Sequence, residues 1–134
     1  MAEAKPKIYY FDLFGRAEAI RMTLWKAGVE YEDIRVTGDA WKELKESGKL
    51  DFSQIPMVEL ADGTRLFQSI PIVNYFGAKY GLKPTDPMVN YKGEKAVEHV
   101  GGDFVGKHIM KVMFASDDAR EALVDELVAD GGQM

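Results

Sequence analysis

Apolar positions recur along this chain with two periods, and the changes of period divide it into elements. Residues 7–11 are β-branched and aromatic and read as a strand. Over residues 15–27 Ala17, Ile20, Leu24 and Ala27 fall on one helical face, and Gly28 supplies the stop. Residues 31–36 form a second strand, and a short polar helix follows around residues 41–46. A hairpin pairs residues 57–60 with 64–67 about an Asp62-Gly63 turn, and residues 70–80 form a helix capped by Ser69 and stopped by Gly81. The order is βαβ, then α, then ββα. A right-handed βαβ crossover makes the first two strands parallel. With the third strand antiparallel to the first and the hairpin reversing the fourth, Tyr10, residues 54–56 and residues 68–69 converge at one edge of the sheet.

Gly81, Pro84 and Pro87 punctuate a linker, which divides the chain into units of residues 1–83 and 84–134. Beyond it, residues 88–115 read as a long helix with Tyr91, Val97, Val100 and Phe104 on one buried face. Ser116, Asp117 and Asp118 open a second helix with Ala119, Leu123 and Leu127 on its apolar face.

Composition narrows the function classes. At 134 residues and 46% hydrophobic the chain can bury a core. No apolar run approaches the ~20 residues that span a bilayer, and residues 1–6 lack a signal-peptide core, so a soluble cytoplasmic protein without a membrane partner is expected. There is no cysteine. A disulfide, a thiolate metal site and a cysteine nucleophile are therefore excluded, and any thiol chemistry must use a thiol that arrives with the ligand. Residues 1–83 balance 12 basic against 12 acidic side chains while residues 84–134 carry 5 against 10, which places the net charge of −5 in the last third and argues against nucleic acid as a partner. His99 and His108 lack ligand spacing and read as ordinary surface or core residues, so no metal is expected.

The most informative segment is Ser53-Gln54-Ile55-Pro56-Met57-Val58-Glu59-Leu60, followed after the turn by Gln68-Ser69. A proline opening a short apolar strand fixes φ and withholds a ladder N–H. Strand after proline, hairpin and polar helix start together make the second half of a thioredoxin-like domain, in which that proline is commonly cis and its loop offers backbone groups to an extended peptide-like ligand.

The runs Lys7-Ile8-Tyr9-Tyr10-Phe11, Gly15-Arg16-Ala17-Glu18, Ile20-Arg21, Ala27-Gly28-Val29-Glu30-Tyr31-Glu32-Asp33, Gln54-Ile55-Pro56-Met57-Val58-Glu59 and Gln68-Ser69 resemble, in order, the N-terminal domain of cytosolic glutathione transferases. Trp41 with Lys45 resembles the sigma class and residues 50–59 the alpha class, which leaves the class open. The resemblance implies an α/β fold: a thioredoxin-like βαβαββα domain followed by the first two helices of a shortened all-helical domain. It implies glutathione as co-substrate, with Tyr10 donating a hydrogen bond to its sulfur and Arg16 supporting the thiolate. It further implies that Gln54, Ile55 and Pro56 hold the cysteinyl backbone, Gln68 and Ser69 the γ-glutamyl carboxylate, and Trp41 and Lys45 the glycyl carboxylate. On spacing alone Tyr10 could be a core residue, Arg16 a surface residue paired with an acid, Ser69 a simple cap, and Trp41 with Lys45 a solvated turn.

The last third departs from the family pattern, and a shortened transferase or a fragment is expected. Asp103 fits the acidic contact to the γ-glutamyl amine only with a one-residue shift that otherwise places Gly102 there. Phe14, Met110 and Met113 are expected to wall the pocket for a small hydrophobic electrophile. Phe52 has the position of an alpha-class aromatic that inserts into a partner subunit, which implies a homodimer; packing on its own domain is the alternative. The leading function is a Tyr-type glutathione transferase of the detoxifying kind, weakened if the helical domain is incomplete. A sigma-type glutathione-dependent isomerase, a non-catalytic interaction or carrier module, and a fragment that only binds glutathione are the alternatives.

Overall fold

The computed structural model describes residues 5–130, apart from the side chains of Asp103, Phe104, Lys107 and Asp130. The chain divides into two compact units, Met1–Pro84 and Thr85–Met134.

In the first unit β1 (Lys7–Tyr10), α1 (Glu18–Lys26), β2 (Glu32–Arg35), α2 (Gly38–Glu46), β3 (Met57–Glu59), β4 (Arg65–Phe67) and α3 (Ser69–Lys79) follow one another. The sheet order is β2-β1-β3-β4, with β1 parallel to β2 and antiparallel to β3, and β3 antiparallel to β4. This is the thioredoxin-like arrangement that the sequence implies. Ile8 and Tyr10 alternate onto one face of the sheet with Val58, and Ala17, Ile20, Leu24, Ile72 and Phe76 pack with them to make the core. α1 ends where expected. Gly28, at φ +70°, donates to the Trp25 carbonyl at 3.0 Å and Val29 to that of Leu24 at 2.9 Å, the paired bonds of a Schellman cap. Asp62 Oδ1 accepts the Thr64 N–H at 2.8 Å, which closes the hairpin turn and holds the carboxyl below its ordinary range.

In the second unit Asp86 caps α4 (Pro87–Val97) by accepting the Val89 N–H at 2.8 Å, with proline in the first turn. The helix runs on through a π-wound stretch, Glu98–Ile109, into α5 (Met110–Phe114). The sequence predicts one helix here but not the change of winding. That stretch contains Gly101, Gly102 and Gly106, and a Cβ at Gly102 would lie 2.7 Å from Glu98 Oε1, so the glutamate folds over the space a side chain would take. Arg120, on α6 (Asp117–Asp130), donates to the carbonyls of Val112 and Ala115 and to Asp117 at 2.8 Å, which fixes the turn between α5 and α6. The expected buried face on the long helix is corrected: Tyr91, Val97 and Val100 are exposed, while Phe104 lies outside the described side chains. Leu123 and Leu127 are half-buried and Ala119 is exposed. Periodicity says which residues share a face, not what covers it. Among the described residues no helix is long and apolar enough to cross a membrane.

Candidate functional site

Strand register puts the candidate residues together. Tyr9, Met57 and Phe67 stand in one row across β1, β3 and β4. The residues just beyond that row, Tyr10, Pro56 and Gln68, therefore lie at the same end of the sheet.

Tyr10 is 7% exposed, with its ring in the core. Its hydroxyl oxygen accepts the backbone N–H of Arg16 at 3.0 Å. With that bond accepted, the phenolic proton remains to be donated to an incoming atom. Gly15 makes the close approach possible. Its φ is +43°, and a Cβ there would lie 2.6 Å from Tyr10 Oη and 2.7 Å from Cε1. Arg16 sits half-buried in the short 3-10 turn Gly15–Ala17 that leads into α1. Burial, aided by the Glu59 carboxylate, pushes the neighbouring Tyr9 phenol above its usual value, so Tyr9 stays neutral.

On the opposite side of this edge, the Ile55–Pro56 peptide bond is cis, as the sequence suggests, and Pro56 is buried. Strand pairing begins at Met57, so the amide and carbonyl of Ile55 are not taken up by the ladder. Gln54 is extended and exposed, and its Oε1 accepts a bond from Gln68 Nε2 at 3.1 Å. Gln68 rather than Ser69 occupies the N-cap position of α3, with φ 67° and ψ 119°, and Ser69 is the first helical residue. The first helical bond is Ile72 N–H to Gln68 O at 3.0 Å. Helix geometry thus leaves the N–H groups of Ser69 and Ile70 without intrahelical acceptors, Pro71 has none to offer, and the Ser69 hydroxyl stands beside them at the positive end of the helix dipole.

Trp41 reaches this edge through Phe11: its ring meets Phe11 edge-on at 5.2 Å, and Phe11 lies 5.6 Å from Tyr10. Lys45 Nζ is 6.0 Å from the centre of the Trp41 ring, so the two share a face of α2. The arrangement gathers a hydroxyl donor, two helix-terminal amides, a free backbone pair and an aromatic with an ammonium group around one end of a sheet. Chemically it suits an extended ligand with carboxylates at both ends and an ionisable atom beside Tyr10.

The remaining expected residues stand as follows. Phe14, in the loop after β1, is 77% exposed. Met110 and Met113 belong to the second unit, half-buried and exposed respectively on α5. The side chain of Asp103 lies outside the described residues. Phe52 is 74% exposed and, with Ser53, adopts left-handed backbone angles, at φ 57° and 50°. For a bulky residue this is an outlier worth ~1–3 kcal/mol, of the kind found at functional positions.

Two residues at the site escape sequence reasoning. Gly15 is one, since only the folded loop shows its contact with Tyr10. Arg21 is the other: buried, it bonds Glu18 at 2.8 Å, Asp33 at 3.2 Å, and the carbonyls of Leu13 and Phe14. Burial alone would lower its guanidinium pKa, but those carboxylate bonds outweigh burial and hold it above the ordinary value. The available signal was its helical position, four residues from Ala17 and three from Leu24, on the apolar face of α1.

A family model described as the glutathione S-transferase N-terminal domain matches residues 6–77. Glutathione S-transferase 3 of Gallus gallus is 45% identical over 84 residues, which are 62% of this chain and 36% of that protein. Glutathione S-transferase A2 of Homo sapiens is 36% identical over 130 residues, 94% of this chain and 57% of that protein. Among solved structures, prostaglandin synthase D of Nilaparvata lugens superposes with a TM-score of 0.81 at 29% identity, over 92% of this chain and 60% of its own. Na-GST-3 of Necator americanus, described as monomeric, gives 0.78 at 31% identity over the same shares. The chain thus spans between about a third and three fifths of the length of these relatives.

Proposed function

The chain belongs to the glutathione S-transferase family, and on that premise we propose that its first unit binds glutathione and holds the thiol as a thiolate for attack on small electrophiles. The observation that carries this reading is the Tyr10 hydroxyl, which accepts the Arg16 N–H and so has its own proton to donate. A free thiol of pKa ~8.5 is only a few per cent ionised at pH 7, and lowering it by ~2 units is worth roughly 2.7 kcal/mol. One hydrogen bond to a charged acceptor contributes about 1.5–3 kcal/mol, so a single hydroxyl can supply most of the shift. The Arg16 charge favours the thiolate in the same direction.

In this reading the cysteinyl backbone pairs with Ile55 beside Gln54 and Pro56, and the γ-glutamyl carboxylate takes the Ser69 hydroxyl and amide beside Gln68. The glycyl carboxylate takes Lys45 and the Trp41 indole N–H. Phe14, exposed in the loop after β1, is proposed for the electrophile. Titration calorimetry of the full chain with glutathione is expected to show saturable binding. A flat titration at millimolar glutathione contradicts the reading.

The Trp41 and Lys45 pairing, with the structural likeness to the Nilaparvata lugens prostaglandin synthase, favours a second reading: a glutathione-dependent isomerase that uses the same thiolate on a different electrophile.

We also propose that the strained, exposed Phe52 is a dimer contact, since a large apolar side chain held out at a left-handed position has no local packing to explain it. Sedimentation is expected to show a dimer at micromolar concentration and a monomer for Phe52→Asp. Identical monomers for both would remove the contact.

A further inference from the structure

Among the described residues Arg21 is the only buried charged side chain, at 5% exposure. Taking a guanidinium out of water is unfavourable unless its partners are well placed, and here, with Nη2 left unbonded, two of its four partners are carbonyls of one loop. Nη1 of Arg21 donates to the carbonyls of Leu13 at 3.3 Å and Phe14 at 3.2 Å, and Nε bonds Asp33 Oδ1 at 3.2 Å. Arg35, one strand position beyond Ile34, donates from Nη1 to the same Leu13 carbonyl at 3.2 Å. Its Nε and Nη2 hold the other oxygen of Asp33 at 2.8 Å and 2.7 Å. The two oxygens of Asp33 are therefore divided between two arginines, one on α1 and one on β2, and both arginines hold the backbone between Tyr10 and Arg16. Anchoring α1 to the sheet would need only the Asp33 bond, since the Glu18 bond lies within α1. The carbonyl contacts add something else: they fix the loop that delivers the Arg16 N–H to the Tyr10 hydroxyl.

We propose that Arg21, Asp33 and Arg35 form a positioning clamp that holds the Leu13 and Phe14 carbonyls, keeps the Arg16 N–H on the Tyr10 hydroxyl, and thereby sets the ionisation of the bound thiol without touching it. The second half of this inference rests on the glutathione reading above; the first half is independent of it. Neither arginine is replaceable by lysine, whose single ammonium cannot span a carboxylate and a carbonyl in one plane.

The test uses the full chain with Arg35→Met, which keeps an apolar stem at a part-exposed position, and Arg21→Lys, which keeps the buried charge. Amide hydrogen exchange of Arg16 is followed by NMR, with the amides of Leu24 and Trp25 in α1 as internal reference. In Arg35→Met the Arg16 amide is expected to exchange about tenfold faster while the reference amides hold their rates, the mark of local rather than global opening. The thiol pKa of bound glutathione is expected to rise by about one unit, with the dissociation constant changed less than about threefold. Arg21→Lys should show the same pattern. An Arg16 amide that exchanges at the wild-type rate in Arg35→Met overturns the clamp, whether or not Arg21→Lys folds. A loosened amide with an unshifted thiol pKa overturns its link to the thiol. If wild-type protein itself leaves the thiol at its solution pKa, the glutathione reading fails, and the exchange rates still decide the clamp.

Discussion

Tyr10→Phe is expected to weaken glutathione binding at pH 7 only about fourfold and to lower the thiolate fraction of the bound ligand by a factor of about 25, both the consequence of returning a thiol pKa from ~6.5 to ~8.5. Turnover with a small aromatic electrophile should fall by a smaller factor, because the more basic thiolate is intrinsically the better nucleophile. The deficit should therefore shrink as pH rises through ~8.5, where the variant's thiol ionises unaided. The direction follows from the proposed role: phenylalanine keeps the ring in the core beside Ile8 and Ala17 but removes the hydroxyl that accepts the Arg16 N–H and keeps a proton to donate. Loss of the acceptor for the Arg16 N–H should reduce stability by about 1 kcal/mol. Stopped-flow rates between neutral and alkaline pH check this, and a deficit that does not change with pH would assign Tyr10 a packing role alone.

Gly15→Ala is expected to be the more damaging change for the fold. A Cβ at this position meets Tyr10 Oη and the Leu13 Cδ1 atom at 2.6 Å each, and the backbone stands at φ +43°. The left-handed conformation costs about 1–2 kcal/mol for a residue with a Cβ, and forcing extra volume into a packed site adds about 1–3 kcal/mol. Either the ring or the loop must move, and both movements break the Arg16 to Tyr10 bond. Gly28→Ala is the matched control: at φ +70° it carries the conformational penalty, but its Cβ would meet nothing within 4 Å. Thermal unfolding should place Gly15→Ala well below Gly28→Ala, with thiolate formation lost only in the former. Equal melting temperatures would mean that Tyr10 and the loop yield without penalty.

Much of this site is legible in the sequence because its parts sit where the chain changes period. The strand that opens at Pro56, the Asp62-Gly63 turn and the short apolar strand that ends at Tyr10 fix the strand order, and the order alone brings three segments to one edge. The resemblance built on those segments agrees with the family model across residues 6–77. What the sequence hides depends on contacts between distant segments. Gln68, not Ser69, takes the capping position because the chain turns into α3 through a positive φ that no glycine announces. Phe52 and Ser53 adopt left-handed angles for which their residue types give no signal. Arg21 looks like a charge to be solvated until Asp33 and two loop carbonyls are found around it. On the long helix, Tyr91, Val97 and Val100 have a buried residue's spacing and an exposed residue's surroundings.

The ultraviolet absorbance of the thiolate, titrated against pH in the complex of the full chain with glutathione, tests the central claim most directly. The roles proposed for Tyr10 and Arg16 predict a bound thiol that ionises about 2 units below its solution pKa of ~8.5. A bound thiol that titrates at its solution value would contradict the claim that this sheet edge is built to make a thiolate.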